Sequence, residues 1–562
     1  MQARPRGGVE IASRARSADR PEGRVDLTAG AVPELPRRAA VLQRLAGERF
    51  DLLVIGGGAA GTGLAAAAAE RGLRTALLER DDFAAGTSSR STKLLHGGVR
   101  YLERAVRRFD PDEFRLVREG LSERAAVMRQ APHLTRRLAI LTPCPDPASL
   151  GYFAAGLRLY DLLAGRRGLG GTRVLGPHAA RAAFPTLGSR PLAGAVTYTD
   201  GQFDDARLCV ALAVTAAEAG AAVANHAAVG SLTFEAGRVA GAVAEDRIGG
   251  ARIHVRAAAV VNAAGPFAEE VARLDPGSGG APRLRVSAGV HLVLRGGLCP
   301  PDTGLLVPRT SDGRVLFVLP WLGRTLVGTT DADAEPSAHP AVSARDVSYL
   351  LEHVGRHLTV PLGPGDVLSA WCGLRPLLRA TGRGATADLS RRHAVVVAPS
   401  GLITLVGGKW TTYRRMAADA LAAVDPRLRL TAAPEGPIAG GGAPEPGMRH
   451  RPGLPEDVAG HLQQSYGDRA PAVAALCTGA GERLAPGFPS VAADVLWAVR
   501  REMALRPLDV LARRTRLAFL DRAAARAALP RVAALMAAEL GWDAARTAGE
   551  EAAAREVLEG DL

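Results

Sequence analysis

Lysine is nearly missing from this chain: among 70 lysines and arginines, only Lys93 and Lys409 are lysines. Aromatic residues make up 4%, and no compact basic run is interleaved with them, which excludes base stacking on nucleic acid as the purpose of the positive charge. The five cysteines, at 144, 209, 299, 372 and 477, are odd in number and contain no C-x-x-C pair. Neither a disulfide framework nor a zinc knuckle is expected, and this usage fits a reducing cytoplasm. Residues 1–48 hold scattered arginines without the apolar stretch that a secretory signal needs, and they read as a disordered N-terminal tail. Long hydrophobic runs are absent as well. The one uncharged stretch of membrane-spanning length, "LLVIGGGAAGTGLAAAAA" at 52–69, carries five glycines and many alanines, so it reads as strand, turn and helix rather than as a span.

What is present points to a large globular protein. A chain of 562 residues with 47% hydrophobic residues exceeds one usual domain and buries a sizeable core. The formal charge of +13 suits an anionic substrate or an anionic membrane surface, with no nucleic acid as partner. Because arginine dominates, the two surviving lysines are informative. A compact ammonium and a broad guanidinium fork are not interchangeable in a close-fitting site, so Lys93 and Lys409 are candidate functional residues.

Residues 50–80, "FDLLVIGGGAAGTGLAAAAAERGLRTALLER", read as an apolar strand, a glycine turn, an alanine-rich helix and a second strand ending at Glu79. Gly56, Gly58 and Gly61 satisfy G-x-G-x-x-G directly after the strand, letting backbone approach a pyrophosphate at the helix N-terminus. Glu79 lies 21 residues beyond Gly58, the position of an acid that binds an adenosine ribose. NAD and FAD both remain open on this evidence. Two later segments, "AAAVVNAAGPF" at 257–267 and "GLITLVGGKWTTYRRMAADAL" at 401–421, again run from an apolar strand into small residues, which suits a large, permanently held cofactor. The stretch "SSRSTKLLHGGVRYLE" at 88–103 concentrates hydroxyls, a lysine, a histidine, an arginine and a tyrosine in sixteen positions.

Taken with "VVNAAGPF", "VLPWLGRTLVGTTDAD", "CGLRPL", "VGGKWTTYRRMA" and "DVLARRTRLAFLD", that stretch resembles the blocks of the FAD-dependent glycerol-3-phosphate dehydrogenases, in the D-amino-acid-oxidase-like flavoprotein superfamily, over residues 49 to 530. The K-x-x-H-G-G-x-R-Y-L block is far narrower than the glycine fingerprint. The resemblance implies an α/β fold: a Rossmann-like FAD-binding domain at 49–432 interleaved with an antiparallel β-sheet substrate domain, a linker at 433–447 and a C-terminal α-helical domain at 448–562. It implies FAD as cofactor, held by Gly56, Gly58, Gly61 and Glu79, by Thr87, Ser88, Ser89, Ser91, Thr92 and Lys93, and by Leu95, His96, Gly97 and Gly98. Asn262, Ala264, Gly265, Gly407, Gly408, Lys409, Thr411 and Thr412 complete that set.

The implied reaction is oxidation of sn-glycerol 3-phosphate at C2 to dihydroxyacetone phosphate, with hydride passing to flavin N5 and electrons to a membrane quinone. Arg100, Tyr101, Arg375, Arg391 and Lys409 would hold the substrate. His291, His96, Arg375 and Lys409 are the candidate catalytic residues, and the base is one of the two histidines, whose side chain titrates near working pH. Oxygen in place of quinone would make the enzyme an oxidase, and an amine or amino-acid oxidase of the superfamily is the other alternative; a flavin-holding protein without turnover would have no reason to keep His96, Arg100, Arg375 and Lys409 together. The implied place of work is cytoplasmic, peripheral on the inner face of the cell membrane, and a homodimer is compatible with the sequence.

Elsewhere the sequence is read directly. Asp312-Gly313 and Leu322-Gly323 read as hairpin turns within a β-rich region, and 205–222 as an amphipathic helix of the nucleotide domain. Thr329, Thr330 and Asp331 resemble the family's "GTTD" block, although a loop cap explains them nearly as well. Trp410 departs from the aliphatic residue that relatives often carry.

Overall fold

The computed structural model describes residues 32–98, 111–188, 191–277, 284–310, 312–378, 393–430, 436–477 and 481–560. Strand Arg49–Ile55 is buried on both faces, which is why its sequence is continuously apolar rather than alternating. Leu52 and Val54 face one hydrophobic cluster and Leu53 and Ile55 another. This strand pairs in parallel with Thr75–Leu78 on one side and Arg252–Asn262 on the other; Ala222–Ala224 and Ile403–Gly407 extend the parallel set outward. An antiparallel edge, His393–Val397, and a ribbon, Ala227–Glu235 with Arg238–Asp246, complete an eight-stranded sheet. Helices Ala59–Ala69, Asp205–Glu218 and Tyr413–Val424 bury one face of it.

A second sheet has ten strands. Its long central pair is Leu284–Leu294 with Val367–Leu378, antiparallel, and one parallel pair, Thr303–Val307 with Thr135–Cys144, makes it mixed rather than wholly antiparallel. Both expected hairpins form. Leu322 and Gly323 take left-handed backbone between the paired residues Trp321 and Arg324, and Gly313 turns the chain between Thr303–Val307 and Leu316–Trp321.

One expectation about chain organisation needs correction. Residues 32–48 are not a tail: helix Arg38–Gly47 packs Val41 and Leu45 under the first sheet, and Arg38 donates to the Asn225 carbonyl and to Asp246 at 2.6 Å. Residues 1–31 lie outside the described residues. In the linker region Ile438 is buried, its N–H donates to Gln130 O, and Ala439 N–H donates to Thr215 Oγ1. The C-terminal helices keep a core of their own, with Val458, Leu462, Tyr466, Val491 and Trp497 buried in it, and their later part also joins the second sheet: Val510, Leu511, Phe519 and Leu529 share one hydrophobic cluster with Leu138, Tyr198, Trp321 and Trp371. Helix Asp205–Glu218 is also buried along nearly its whole length, on every face, rather than amphipathic.

Candidate active site

The glycine turn after Arg49–Ile55 opens a cleft of about 2050 Å³ that runs between the two sheets. That exceeds the several hundred cubic ångströms of an ordinary small-ligand site and suits an extended dinucleotide together with a substrate. Gly56 has φ +108°, and a Cβ there would meet Ala263 O at 2.7 Å. Gly58 caps helix Ala59–Ala69, whose N-terminus opens on the cleft; Ser88 Oγ accepts from Ala59 N–H at 2.9 Å and would meet a Gly58 Cβ at the same distance. Glu79 accepts from Gly57 N–H at 2.5 Å and Asp81 N–H at 2.8 Å. Burial pushes its carboxyl pKa upward against those two donors.

Most of the expected cofactor residues line this cleft: Gly56, Gly58, Glu79, Thr87, Ser88, Ser89, Ser91, Thr92, His96, Gly98, Ala264, Gly265, Gly407, Gly408, Lys409 and Thr411. Gly407 and Gly408 take consecutive left-handed conformations, φ +76° and +81°, which turn the chain from strand Ile403–Gly407 so that Lys409 enters the cleft ahead of helix Tyr413–Val424. Trp410, the departure from the family pattern, donates its indole N–H to Ser88 O at 2.9 Å and so ties the two cofactor-facing loops together.

Six residues of the expected cofactor set stand behind the cleft lining. A Cβ on Gly61 would lie 1.8 Å from Gly56 O, so this glycine packs helix on strand. Asn262 bridges Ala268 O and Ala264 N–H and shapes its loop from behind. Leu95 pairs with Gly201 in a buried strand, Gly97 N–H donates to the Tyr160 hydroxyl at 2.7 Å, and Thr412 donates to Lys409 O. Lys93 is fully buried, its ammonium 2.7 and 2.9 Å from the two oxygens of Asp205. Arg100, Tyr101 and Arg391 lie outside the described residues.

At the inner end of the cleft, neighbouring strands bring His291 and Arg375 together. His291 is buried, its ring lies stacked on Trp371, and its Nε2 is 2.9 Å from Thr92 Oγ1. Burial first, then the charges of Arg375 and Lys93, hold its pKa well below the usual histidine range, opposed only by the Gly289 backbone. This environment favours the neutral imidazole over the imidazolium. Arg375 is about a quarter exposed and donates to Thr329 Oγ1 at 3.1 Å and Ser287 Oγ at 3.2 Å, with Asp331 at 3.4 Å. Thr329, Thr330 and Asp331 thus do more than cap a loop: they fix the guanidinium fork and line the cleft.

Two glycines that the sequence reading passed over make this arrangement fit. A Cβ on Gly289 would meet Arg375 Nη2 at 2.3 Å, and one on Gly328 would meet the His291 ring at 2.3 Å. The "SAGVH" and "VGTTD" contexts contain both, but only strand pairing places them against those side chains. Asp200 also lines the cleft; it is salt-bridged to Arg124 at 2.6 Å and held up near pKa 6 by burial. That pair joins residues far apart in the chain and has no local signal.

Comparison with known proteins agrees with the geometry. The family model described as FAD dependent oxidoreductase matches residues 51–414, and that described as the C-terminal domain of alpha-glycerophosphate oxidase matches 401–547. The mitochondrial glycerol-3-phosphate dehydrogenase of Homo sapiens is 44% identical over 534 residues, covering 91% of this chain and 73% of the human protein. Its counterpart in Arabidopsis thaliana is 41% identical over 95% of this chain and 90% of its own. The crystal structure of the glycerol-3-phosphate dehydrogenase from Bacillus halodurans complexed with FAD superimposes with a TM-score of 0.75 at 29% identity, covering 93% of this chain and 97% of that one. An L-alpha-glycerophosphate oxidase from Mycoplasma pneumoniae shares the fold at TM-score 0.54 and 16% identity, over 67% of this chain and 95% of its own. With the glycine turn, Glu79 and the Gly407-Gly408 turn facing one long cleft, the residues present fit FAD, and the chain belongs to the FAD-dependent glycerol-3-phosphate dehydrogenase family.

Proposed function

We propose that this protein oxidises sn-glycerol 3-phosphate to dihydroxyacetone phosphate and passes the electrons to a membrane quinone. The observation that carries this reading is that a buried His291 and Arg375, on neighbouring strands, line with Lys409 the same cleft as the dinucleotide-binding turn. Bound FAD supplies the acceptor for the hydrogen and electron pair that leave C2. Arg375 takes the phosphate dianion in a charge-assisted grip, and Arg100, Tyr101 and Arg391 complete the substrate contacts in this reading. His291 is the proton acceptor in this reading: its Nε2 faces the Thr92 hydroxyl at 2.9 Å, so the C2 hydroxyl proton reaches the ring through that hydroxyl, which takes it on as it gives its own to Nε2. Lys409 contributes positive charge where negative charge develops on the cofactor. His96 lines the same cleft and serves to position the substrate.

For the acceptor, the reading rests on the dehydrogenase names of the relatives and on the balance of +13, which suits an anionic membrane surface. No helix among the described residues is long and apolar enough to cross a membrane, so attachment is peripheral in this reading, on the cytoplasmic side. Turnover with glycerol 3-phosphate and a short-chain quinone, with hydrogen peroxide measured in parallel, tests it. Quinone reduction with little peroxide is expected; stoichiometric peroxide without quinone reduction makes the protein an oxidase and removes the membrane partner.

A further inference from the structure

Lys93 makes no contact with the cleft, yet it governs the segment that does. Its ammonium sits fully buried between both oxygens of Asp205 and Ser89 O, which lies 2.6 Å away, with the rings of Trp371, Trp321 and Phe519 at 5.0, 5.2 and 5.7 Å. Asp205 also accepts from Ser91 N–H and Ser91 Oγ, and Arg516, from the C-terminal helices, reaches both Asp205 and Ser89 O. Lys93 itself has φ +62°, a left-handed conformation that an unbranched chain rarely adopts without such anchoring. The residue before it is Thr92, whose hydroxyl meets His291 Nε2.

Stability alone accounts poorly for this arrangement, because a buried ion pair adds little over apolar side chains of the same volume. An arginine would not suit the site either: its planar fork differs in shape from the compact ammonium that the three rings and Asp205 enclose.

We propose that Lys93 is a positioning residue for the oxidation: anchored on Asp205, it locks residues 91–93 so that Thr92 meets His291. The proposal rests on the reading of His291 as the base. The charged groups facing His291 are Arg375 with its partner Asp331, and Lys93; those facing Lys93 are Asp205, Asp204 and Arg516. A cation beside the imidazole disfavours the imidazolium, so removing it lets His291 protonate at higher pH and moves the acid limb of the rate upward.

The test is stopped-flow reduction of the FAD-loaded protein by glycerol 3-phosphate across pH. Lys93→Met leaves Asp205 its Arg516 partner and is expected to fold and hold flavin. Its reduction should slow about tenfold, the KM for glycerol 3-phosphate should stay within about twofold, and the acid limb should rise by on the order of half a pH unit. Thr92→Val should lose a similar factor in rate, and Thr92→Ser should restore it. Normal rates with an unshifted acid limb in Lys93→Met overturn the proposal, and a normal rate in Thr92→Val overturns it whether or not Lys93→Met folds. His291→Gln separates the two readings. Normal reduction in that variant removes His291 as the base, whereas slow reduction there beside normal Lys93→Met removes Lys93 alone.

Discussion

Gly289 is the residue on which the substrate grip is most sharply testable, because a Cβ there would meet Arg375 Nη2 at 2.3 Å and Thr329 Oγ1 at 2.6 Å. Gly289→Ala should displace the guanidinium fork and raise the KM for glycerol 3-phosphate by about tenfold or more, with bound flavin retained; an unchanged KM would remove Arg375 from the phosphate site. Lys409→Arg should slow flavin reduction far more than an exposed Arg→Lys change, since a broader cation must fit between the Gly407-Gly408 turn and Trp410. Reduction within about twofold of the unmodified protein would show that the lysine is not required there. The scarcity of lysine made both Lys93 and Lys409 stand out in the sequence. It could not separate their roles: Lys409 lines the cleft, while Lys93 is committed to Asp205, a partner 112 residues away. Gly289 and Gly328 stayed hidden for the same reason, since their tight contacts arise across strands and not within a motif.

At the scale of elements, local pattern located the pieces and tertiary packing decided their character. The strand, turn and helix at 50–79 were legible because a parallel strand, a glycine fingerprint and an acid fall at fixed spacing. Helix Asp205–Glu218 was legible as a helix but not as a buried one, because its charged ends, Asp205 and Arg207, find partners in Lys93 and Glu502 that composition does not reveal. In the glycine-rich linker, Gly440 lies so close to the His133 ring that a Cβ would meet Nε2 at 2.7 Å. Burial first, then Arg207 and Arg469, lower the His133 pKa to about 3. The unfolded chain binds a proton at His133 below about pH 6.5 while the folded chain does not, so this site costs stability as pH falls from 6.5 toward 3. His133→Leu should therefore lose about 2 kcal/mol less than the unmodified protein between pH 6.5 and 5 in denaturant titrations; parallel pH curves would contradict it. The C-terminal helices are latched through Asp82, which accepts from Arg513 Nε at 2.6 Å and from Arg514 Nη2 at 3.1 Å. Asp82→Ala leaves these buried cations short of charge and should cost on the order of 3 kcal/mol, whereas a loss below about 1 kcal/mol would show the latch to be marginal.

For the whole molecule, the sequence indicated two sheets, a flavin-sized binding turn and a helical end, but not that the helical end shares part of its core with the second sheet and borders the cleft through Asp509, Arg513 and Phe519. The excess of arginine acts at this scale too. Anionic vesicles should bind the protein at low ionic strength and release it as salt rises, each basic residue near the surface contributing about 1 kcal/mol; salt-independent binding would mean that charge does not direct it. In the proposed reaction one cleft holds FAD beside a phosphate-bearing alcohol, with His291 as the proton acceptor. Anaerobic addition of glycerol 3-phosphate, glycine or D-alanine to the purified yellow protein, followed by the flavin absorbance, tests it most directly. Rapid bleaching by glycerol 3-phosphate alone, with colour returning on addition of a quinone, is the predicted result; bleaching by an amine and none by the phosphate ester would contradict it.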